Sequence, residues 1–317
     1  MSFLILIIGF AFLIKGADIF VEGASSIAKK FNVPSMIIGL TIVAMGTSAP
    51  EAAVSITSSL AGQNDMSVAN VVGSNFFNIL VVLGASSIIA KLPVQRDTIK
   101  KDTPFLIIVS VMLLIFGFDL RLGRFDGLLL LALFVYFLVS TIKSAKASIS
   151  DDTNFESGET AIAIETNADV SLTKTILISI VGIIGIVIGG DMVVNSATTI
   201  ATSFGMSANL VGLTIVAIGT SLPEFVTSIV AIKKGETEIA IGNVIGSNLF
   251  NILLVLGLAA TINPISMSML AFTDIVFMVL ITLLLYIFMK KNNLLEKKHG
   301  IILLTLYIIY MMYTIIR

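Results

Sequence analysis

An internal repeat limits the possible folds of this chain more than any other feature. Residues 39–84 align with residues 212–257 at a constant offset of 173 and without a gap, and 26 of the 46 aligned pairs are identical. Two blocks are almost unchanged between the copies: GLTIVAMGTSAPE matches GLTIVAIGTSLPE, and NVVGSNFFNILVVLG matches NVIGSNLFNILLVLG. The sequence therefore predicts two copies of one structural unit.

Long apolar runs indicate that both copies lie in a membrane. Of the 317 residues, 56% are hydrophobic and only 12% are charged, and the mean hydropathy is +1.05. About 20 apolar residues at 1.5 Å per residue cross a hydrocarbon core about 30 Å thick. The runs are continuous rather than alternating, which favours helices over membrane strands. We therefore predict an all-α integral membrane protein. Its ten transmembrane helices are predicted at residues 3–28, 34–60, 66–90, 103–118, 123–142, 174–200, 206–232, 238–262, 269–289 and 300–316.

The repeat divides these helices into two groups of five. Residues 1–142 form the first five-helix repeat, residues 174–317 form the second, and the acidic residues 143–173 have the composition of a linker without a packed core. Because five is odd, the second copy enters the membrane from the opposite face. The sequence thus predicts two inverted repeats with discontinuous helices at the midplane, where transporters of this kind hold their substrate.

The basic residues predict the orientation. Fifteen Lys and Arg residues fall in the odd-numbered connections between predicted helices, whereas three fall in the even-numbered connections and the C-terminus. By the positive-inside rule, both termini are extracytoplasmic and the linker is cytoplasmic, in the inner (cytoplasmic) membrane of a cell. The N-terminus lacks a basic leader, so we expect no cleavable signal peptide.

Four residues share one face at the middle of the second predicted helix. Thr47, Ser48 and Glu51 follow Ala44 by three, four and seven residues. Pro50 has no N–H to donate, so the helix is predicted to break or kink there. Carbonyls freed at that depth need a partner, which a bound cation supplies. The same pattern recurs in the second copy at Ala217, Thr220, Ser221, Pro223 and Glu224.

The predicted third and eighth helices add further oxygen ligands near their centres. Ser74 lies four residues before Asn78, and Ser247 lies four residues before Asn251. Serine and threonine in membrane helices also serve as packing residues, but an ionisable group at mid-membrane is by default functional. Carboxylate, hydroxyl and amide oxygens without His or Cys suit calcium or sodium and suit zinc or copper poorly.

The motifs GTSAPE and GTSLPE, each followed by a G-S-N-x-F-N helix, resemble the α-repeats of the calcium/cation antiporter superfamily, in particular those of prokaryotic sodium/calcium exchangers. The resemblance covers nearly the whole chain apart from the linker. It implies exchange of sodium for calcium by alternating access, with the first and sixth helices sliding against the rest. It also implies that calcium is held by the carboxylates of Glu51 and Glu224 and by the backbone carbonyls of Thr47 and Thr220. The sodium positions implied are Ala44, Ser48, Ser74, Ala217, Ser221 and Ser247, with Asn78 as a polar ligand of the central site.

One position departs from part of the superfamily. Some archaeal members and the potassium-dependent branch carry Asp where this chain has Asn251. The third carboxylate is therefore missing here, which makes potassium dependence less expected and leaves two ionised groups, Glu51 and Glu224. With two negative charges, one calcium ion gives a neutral site, and the three sodium ions that the resemblance implies give a charge of +1, so exchange is predicted to be electrogenic.

Other functions remain open at this point. Protons or potassium could replace sodium as the coupling ion, and a passive cation channel could use the same oxygen ligands as a filter. An intramembrane enzyme is not expected, because Cys is absent and the only His lies in a predicted loop. No cofactor is expected beyond the transported ions, and neither nucleic acid nor an obligate protein partner is indicated.

Charged residues also occur within the first and sixth predicted helices. Asp18 aligns with Asp191 at the repeat offset, and Lys15 and Glu22 lie within one turn of Asp18. A Lys15–Asp18 ion pair, or side chains that reach toward the membrane interface, is one interpretation. A role in gating is the alternative, because the first and sixth helices are the ones implied to move.

Overall fold

The computed structural model describes residues 1–60, 64–155, 172–205 and 217–316, and the described part is helical apart from four short strands. The helices in chain order are α1 (Ser2–Lys30), α2 (Ser35–Thr47), α3 (Ala49–Leu60), α4 (Ser67–Ile89), α5 (Thr98–Asp119), α6 (Arg124–Phe155), α7 (Leu172–Ser203), α8 (Leu222–Lys233), α9 (Thr237–Ile262), α10 (Met269–Lys290) and α11 (Lys297–Ile316).

Seven described helices are long and apolar enough to cross a membrane, or eight if α2 and α3 count as one bent span. The protein is therefore a multi-pass membrane protein. The predicted count of ten helices stays a prediction, in part because residues 206–216 of the predicted seventh helix lie outside the described residues. The other two predicted positions are not among these spans. The structure has the helices α8 (Leu222–Lys233) and α11 (Lys297–Ile316) there.

The break predicted at Pro50 is confirmed. α2 and α3 meet at Ser48 with a bend of 48°. In the second copy, a helical turn at Ala217–Gly219 is separated from α8 by Thr220 and Ser221. Ser48 has φ −83° and ψ 8°, and Ser221 has φ −92° and ψ 5°. Both serines thus adopt the sparsely populated conformation between helix and strand that is common at functional sites.

α4 and α9 form the centre of the molecule. In the most apolar 18-residue stretch of each helix, 72% of α4 and 94% of α9 are buried. In the other helices that are individually long and apolar enough to cross a membrane, the buried share is 22–33%. Each also contains a π-helical segment, Phe77–Val82 in α4 and Asn251–Leu256 in α9. Such π-helical turns are rare and often occur at functional sites. The two central helices therefore present their polar residues to the interior of the protein.

α1 and α7 cross each other at glycine residues of both helices. A Cβ on Gly16 would lie 2.7 Å from the backbone nitrogen of Ile186, and a Cβ on Gly189 would lie 2.5 Å from that of Leu13. Gly16 and Gly189 are separated by the repeat offset of 173. Glycine at membrane helix crossings lets two backbones approach closely and gain packing contacts.

Two short strand pairs connect the halves, which the all-α prediction did not include. Leu92–Pro93 (β1) pairs antiparallel with Leu294–Leu295 (β4), and Arg121–Leu122 (β2) pairs with Ile265–Ser266 (β3). Adding 173 to the residues of β1 and β2 gives those of β3 and β4. A strand of two residues has no detectable hydrophobic period, so sequence patterning gave no signal for it.

The fifth predicted helix is longer than expected. Its end was predicted at Ile142, but α6 continues to Phe155 and includes the first part of the predicted linker. The loss of hydrophobicity after residue 142 was interpreted as the end of the helix. Lys and Ala, which follow at residues 143–147, are good helix formers, so the helix continues although its sequence becomes polar. Residues 156–171 of the linker lie outside the described residues.

The glycine crossing makes a testable prediction. Gly189→Ala should lower stability by about 1–3 kcal/mol, because its methyl group would overlap backbone atoms of α1 that cannot rotate away. Gly190→Ala is the matched control, since its Cβ would meet nothing nearer than 3.5 Å and alanine favours a helix by about 1 kcal/mol. Thermal unfolding of both purified variants in one detergent measures the difference. A lower Tm for Gly190→Ala than for Gly189→Ala would contradict the crossing.

Candidate functional site

Two buried carboxylates occupy the breaks in the helices. Glu51 lies at the start of α3 and Glu224 at the start of α8, and neither side chain is exposed. Neither forms an ion pair with lysine or arginine in the part of the chain that the structure describes. An unpaired buried carboxylate is costly, so the surrounding dipoles must stabilise its charge.

Each carboxylate accepts a hydrogen bond from the serine of the other half. Ser48 Oγ donates to Glu224 Oε1 at 2.9 Å, and Ser221 Oγ donates to Glu51 Oε1 at 3.1 Å. These are equivalent contacts in the two copies, because Ser48 corresponds to Ser221 and Glu51 to Glu224. The site is therefore shared between the halves and is incomplete in either one alone.

An asparagine fixes the backbone of each glutamate. Asn70 Nδ2 donates to the carbonyl oxygen of Glu51 at 3.2 Å, and Asn243 Nδ2 donates to that of Glu224 at 3.4 Å. Each amide also donates to the serine one helical turn beyond its glutamate, at 2.9 Å and 3.0 Å. The central helices α4 and α9 thus hold the start of α3 and α8 in place.

The two threonines at the breaks contact the same asparagines across the halves. Thr47 Oγ1 donates to Asn243 Oδ1 at 3.0 Å, and Thr220 Oγ1 donates to Asn70 Oδ1 at 3.5 Å. Their hydroxyls are therefore occupied by protein partners. Thr47 Oγ1 also lies 3.2 Å from the carbonyl of Val43, which is bonding back within its own helix.

Four asparagines form an amide cluster between α4 and α9. Asn78 Nδ2 donates to Asn248 Oδ1 at 3.2 Å, and Asn251 Nδ2 donates to Asn75 Oδ1 at 3.1 Å. Asn251 Nδ2 also donates to Ser74 Oγ at 3.1 Å. Asn75 and Asn248 therefore accept across the helices, while the side-chain carbonyl oxygens of Asn78 and Asn251 have no hydrogen-bonding partner among the described residues.

The two halves of the site are not identical. Ser74 Oγ lies 3.2 Å from Glu51 Oε1 and 2.8 Å from Ser221 Oγ, so three polar groups meet on that side. Its counterpart Ser247 lies 3.5 Å from Thr47 Oγ1 instead. Ser74 and Ser247 thus make different hydroxyl contacts in this conformation.

The two alanines of the sequence prediction are less well placed. The carbonyl oxygen of Ala44 accepts from Thr47 Oγ1 at 3.3 Å and from the Ser48 nitrogen at 3.0 Å, so protein donors already occupy it. The Ala217 backbone begins a helical turn, but its side chain lies outside the described residues.

Four buried carboxylate and amide oxygens have no hydrogen-bonding partner among the described residues: Glu51 Oε2, Glu224 Oε2, Asn78 Oδ1 and Asn251 Oδ1. Buried acceptors are normally satisfied, and leaving one unsatisfied costs about 1–3 kcal/mol, or more when it is charged. All four are hard oxygen ligands, of the kind that calcium and sodium prefer. A cation bound among them would satisfy oxygens that the described chain leaves without donors.

The site lacks the features of a permanent metal centre. Within the described residues there is no group of three or more His, Cys, Asp or Glu side chains that could hold a metal ion. Two carboxylates with neutral oxygens suit an ion that must be released again. Long apolar helices around these buried oxygens define the class of the molecule: it is an integral membrane protein with a candidate site for hard cations at its centre.

Comparison with known proteins identifies the family. The chain belongs to the sodium/calcium exchanger protein family, whose model matches residues 1–143 and again residues 174–316. It is therefore a member of the calcium/cation antiporter superfamily and a transporter rather than an enzyme. This confirms the family resemblance that the two GTS-x-PE motifs indicated.

Three similar proteins illustrate the relationship. The putative antiporter CaxA of Alkalimonas amylolytica is 44% identical, over 81% of this chain and 80% of that protein. The sodium/calcium exchanger MaX1 of Methanosarcina acetivorans is 32% identical, over 98% and 97%. A solved structure of the sodium-calcium exchanger NCX_Mj, soaked with sodium and calcium, superposes with a TM-score of 0.84 at 31% identity, covering 97% of this chain and 96% of that one.

Sequence reasoning missed Asn70 and Asn243. Each connects a glutamate backbone to a threonine of the other half, and no role was predicted for either. A signal was available, because both are polar, both lie in an apolar helix, and the repeat offset aligns them as an identical pair.

The asparagine contacts make a second prediction. Asn70→Ala and Asn243→Ala should each weaken calcium binding about tenfold, or about 1.4 kcal/mol, because each releases a glutamate backbone and a threonine without removing charge. The rise in Tm with added calcium reports binding, since a ligand of the folded state stabilises it. Asn263→Ala is the control, because that amide donates to the carbonyl of Ser59 instead. An unchanged calcium response in Asn70→Ala and Asn243→Ala would contradict the assignment.

Proposed function

We propose that this protein exchanges sodium for calcium by alternating access, with Glu51 and Glu224 as the carboxylates that hold the ions. The four unsatisfied buried oxygens carry the proposal, because they are a set of hard ligands and two of them are carboxylate oxygens. Both ions would use the same oxygens, so the binding of one excludes the other. Such competition at one site is the requirement for antiport.

The ligand assignment follows the motif positions. Calcium would be held by both carboxylates and by the backbone carbonyls of Thr47 and Thr220. Asn78 and Asn251 would contribute amide oxygens at the centre, for which their unsatisfied carbonyls are suited. Sodium would use hydroxyl and carbonyl oxygens at Ala44, Ser48, Ser74, Ala217, Ser221 and Ser247. The family relationship supports both ions as substrates.

The proposed architecture is ten helices in two inverted repeats. The first repeat would comprise residues 1–142 and the second residues 174–317, with residues 143–173 as the linker. Equivalent contacts support it: the two serine–glutamate hydrogen bonds, the strand pairs and two left-handed residues, Leu120 and Asn293, are related by the offset of 173. The proposed orientation, with extracytoplasmic termini in the inner membrane, is supported by the fifteen-to-three distribution of basic residues.

The carboxylates give the most direct test. Glu51→Gln or Glu224→Gln should abolish calcium flux and leave an inserted, folded protein, because an amide oxygen does not replace a full charge. Glu296→Gln is the control, since Glu296 is an acidic residue of the loop before α11 that pairs with Lys298 instead. Radioactive calcium uptake into proteoliposomes measures the effect. Normal uptake in either glutamine variant would remove the central assignment.

The coupling ion is tested separately. Sodium, potassium and proton gradients imposed one at a time across unmodified proteoliposomes should show that only sodium drives calcium uptake. Proton coupling and potassium coupling are the alternatives, and a driven flux with one of those gradients would identify them. Calcium uptake with no opposing ion gradient would indicate a channel.

Charge movement makes a further prediction. With Glu51 and Glu224 ionised, exchange of three sodium ions for one calcium ion transfers one net positive charge. Each 100 mV should then change the driving force by about 2.3 kcal/mol, and a negative interior should drive sodium entry and calcium exit. Proteoliposomes clamped at several potassium/valinomycin potentials measure this. Exchange that is independent of voltage would indicate two sodium ions per calcium.

A further inference from the structure

One end of α1 is held by ionic contacts with the turn between α8 and α9. Lys234 Nζ lies 2.9 Å from Asp18 Oδ1 and 3.4 Å from Glu22 Oε2. Asp18 and Glu22 are four residues apart and so lie on one face of α1. Burial alone would lower the pKa of Lys234, but hydrogen bonds and charge from both carboxylates outweigh it and raise that pKa. The Lys15–Asp18 pair considered above is not the ion pair that forms.

A second set of contacts extends the same attachment. Ser25 Oγ donates to Glu236 Oε1, and Lys29 Nζ lies 3.4 Å from the same oxygen. Ser35, at the start of α2, donates to Glu236 Oε2 at 3.5 Å. Lys234 and Glu236 flank Gly235, whose φ of +80° is readily adopted only by glycine and forms the tight turn. The charged side chains of Lys234 and Glu236, on either side of Gly235, thus contact about three helical turns of α1, from Asp18 to Lys29.

The equivalent pair of segments, residues 61–63 and α7, does not carry these charges. At the repeat offset, Lys234 corresponds to Ala61 and Glu236 to Gln63, although Gly235 corresponds to Gly62. On α7 the partners Glu22 and Lys29 are replaced by Asn195 and Thr202, and only Asp18 keeps its counterpart, Asp191. The same ion pairs are therefore impossible at the opposite end of the site. The sequence keeps the glycine and omits the charges, so the ion pairs that hold α1 have no equivalent on α7.

We propose that Lys234 and Glu236 are positioning residues that hold α1 and bias the exchanger toward the conformation closed on their face. The proposal rests on the alternating-access function and on the orientation proposed above, by which this face is cytoplasmic. A bias of this kind changes how often the site opens to each side, without changing the ligands of the ion. The half-saturating concentration on a given face equals the intrinsic value divided by the fraction of molecules open to that face.

The test compares calcium dependence on the two faces. Lys234→Gln should lower the half-saturating calcium concentration on the face of the basic loops and raise it on the other face. The ratio of the two values should change about fivefold, the equivalent of about 1 kcal/mol, which suits partly exposed ion pairs. Glu236→Gln should act in the same direction. Right-side-out and inside-out membrane vesicles with sodium-driven calcium flux give both values.

Lys233→Gln is the matched control. It removes the same charge from the residue before Lys234, and among the described residues Lys233 forms no ion pair. The double variant Asp18→Lys with Lys234→Glu restores opposite charges in exchanged positions. Its ratio should return toward that of the unmodified protein, whereas Asp18→Lys alone should behave like Lys234→Gln.

The outcomes separate this proposal from the function on which it rests. If unmodified vesicles show no sodium-dependent calcium flux, the exchange function is wrong and the bias falls with it. If they exchange normally and both glutamine variants keep the ratio unchanged, the bias alone is wrong. A loss of maximal rate on both faces without a change in ratio would indicate that the ion pairs only stabilise the fold.

Discussion

The cost of burying two carboxylates in a membrane governs the rest of this structure. Glu51 and Glu224 are fully buried and have no basic partner in the described part of the chain. Hydroxyl donors satisfy one oxygen of each carboxylate and leave the other without a donor. Neutral dipoles offset only part of the cost of a buried charge. The remaining charge favours a bound cation, and competition of two cations for the same oxygens would suit the proposed exchange.

The repeat provides a way to build such a site with equivalent surroundings from both directions. Ser48 donates to the glutamate of the second half and Ser221 donates to that of the first, so removal of either half would leave the remaining carboxylate without this serine donor. In the proposed inverted arrangement, the two copies would present nearly the same donors to an ion that arrives from either side. The departures from this symmetry lie in the hydroxyl contacts of Ser74 and in the charges around Lys234.

Much of this could be predicted because membranes restrict the possible structures so strongly. Apolar runs gave the helices, Pro50 gave the break at Ser48, and two glutamates in apolar surroundings indicated a site. The partners of those groups could not be predicted. Spacing along α2 and α3 places Ser48 and Glu51 on one face, yet Ser48 bonds to Glu224, because the packing of one half against the other is not encoded in local spacing. The predicted end of the fifth helix was wrong, because hydrophobicity indicates where a helix leaves the membrane and not where the helix ends.

The strand pairs have a consequence for the connection between the halves. β1 with β4 and β2 with β3 join loops of the first half to loops of the second by backbone hydrogen bonds in a fixed register. A slip of one residue would turn the paired side chains to the opposite face of the strand, so these contacts specify one relative position of the halves. The two halves are therefore aligned by backbone contacts that lie outside the segment between residues 155 and 172.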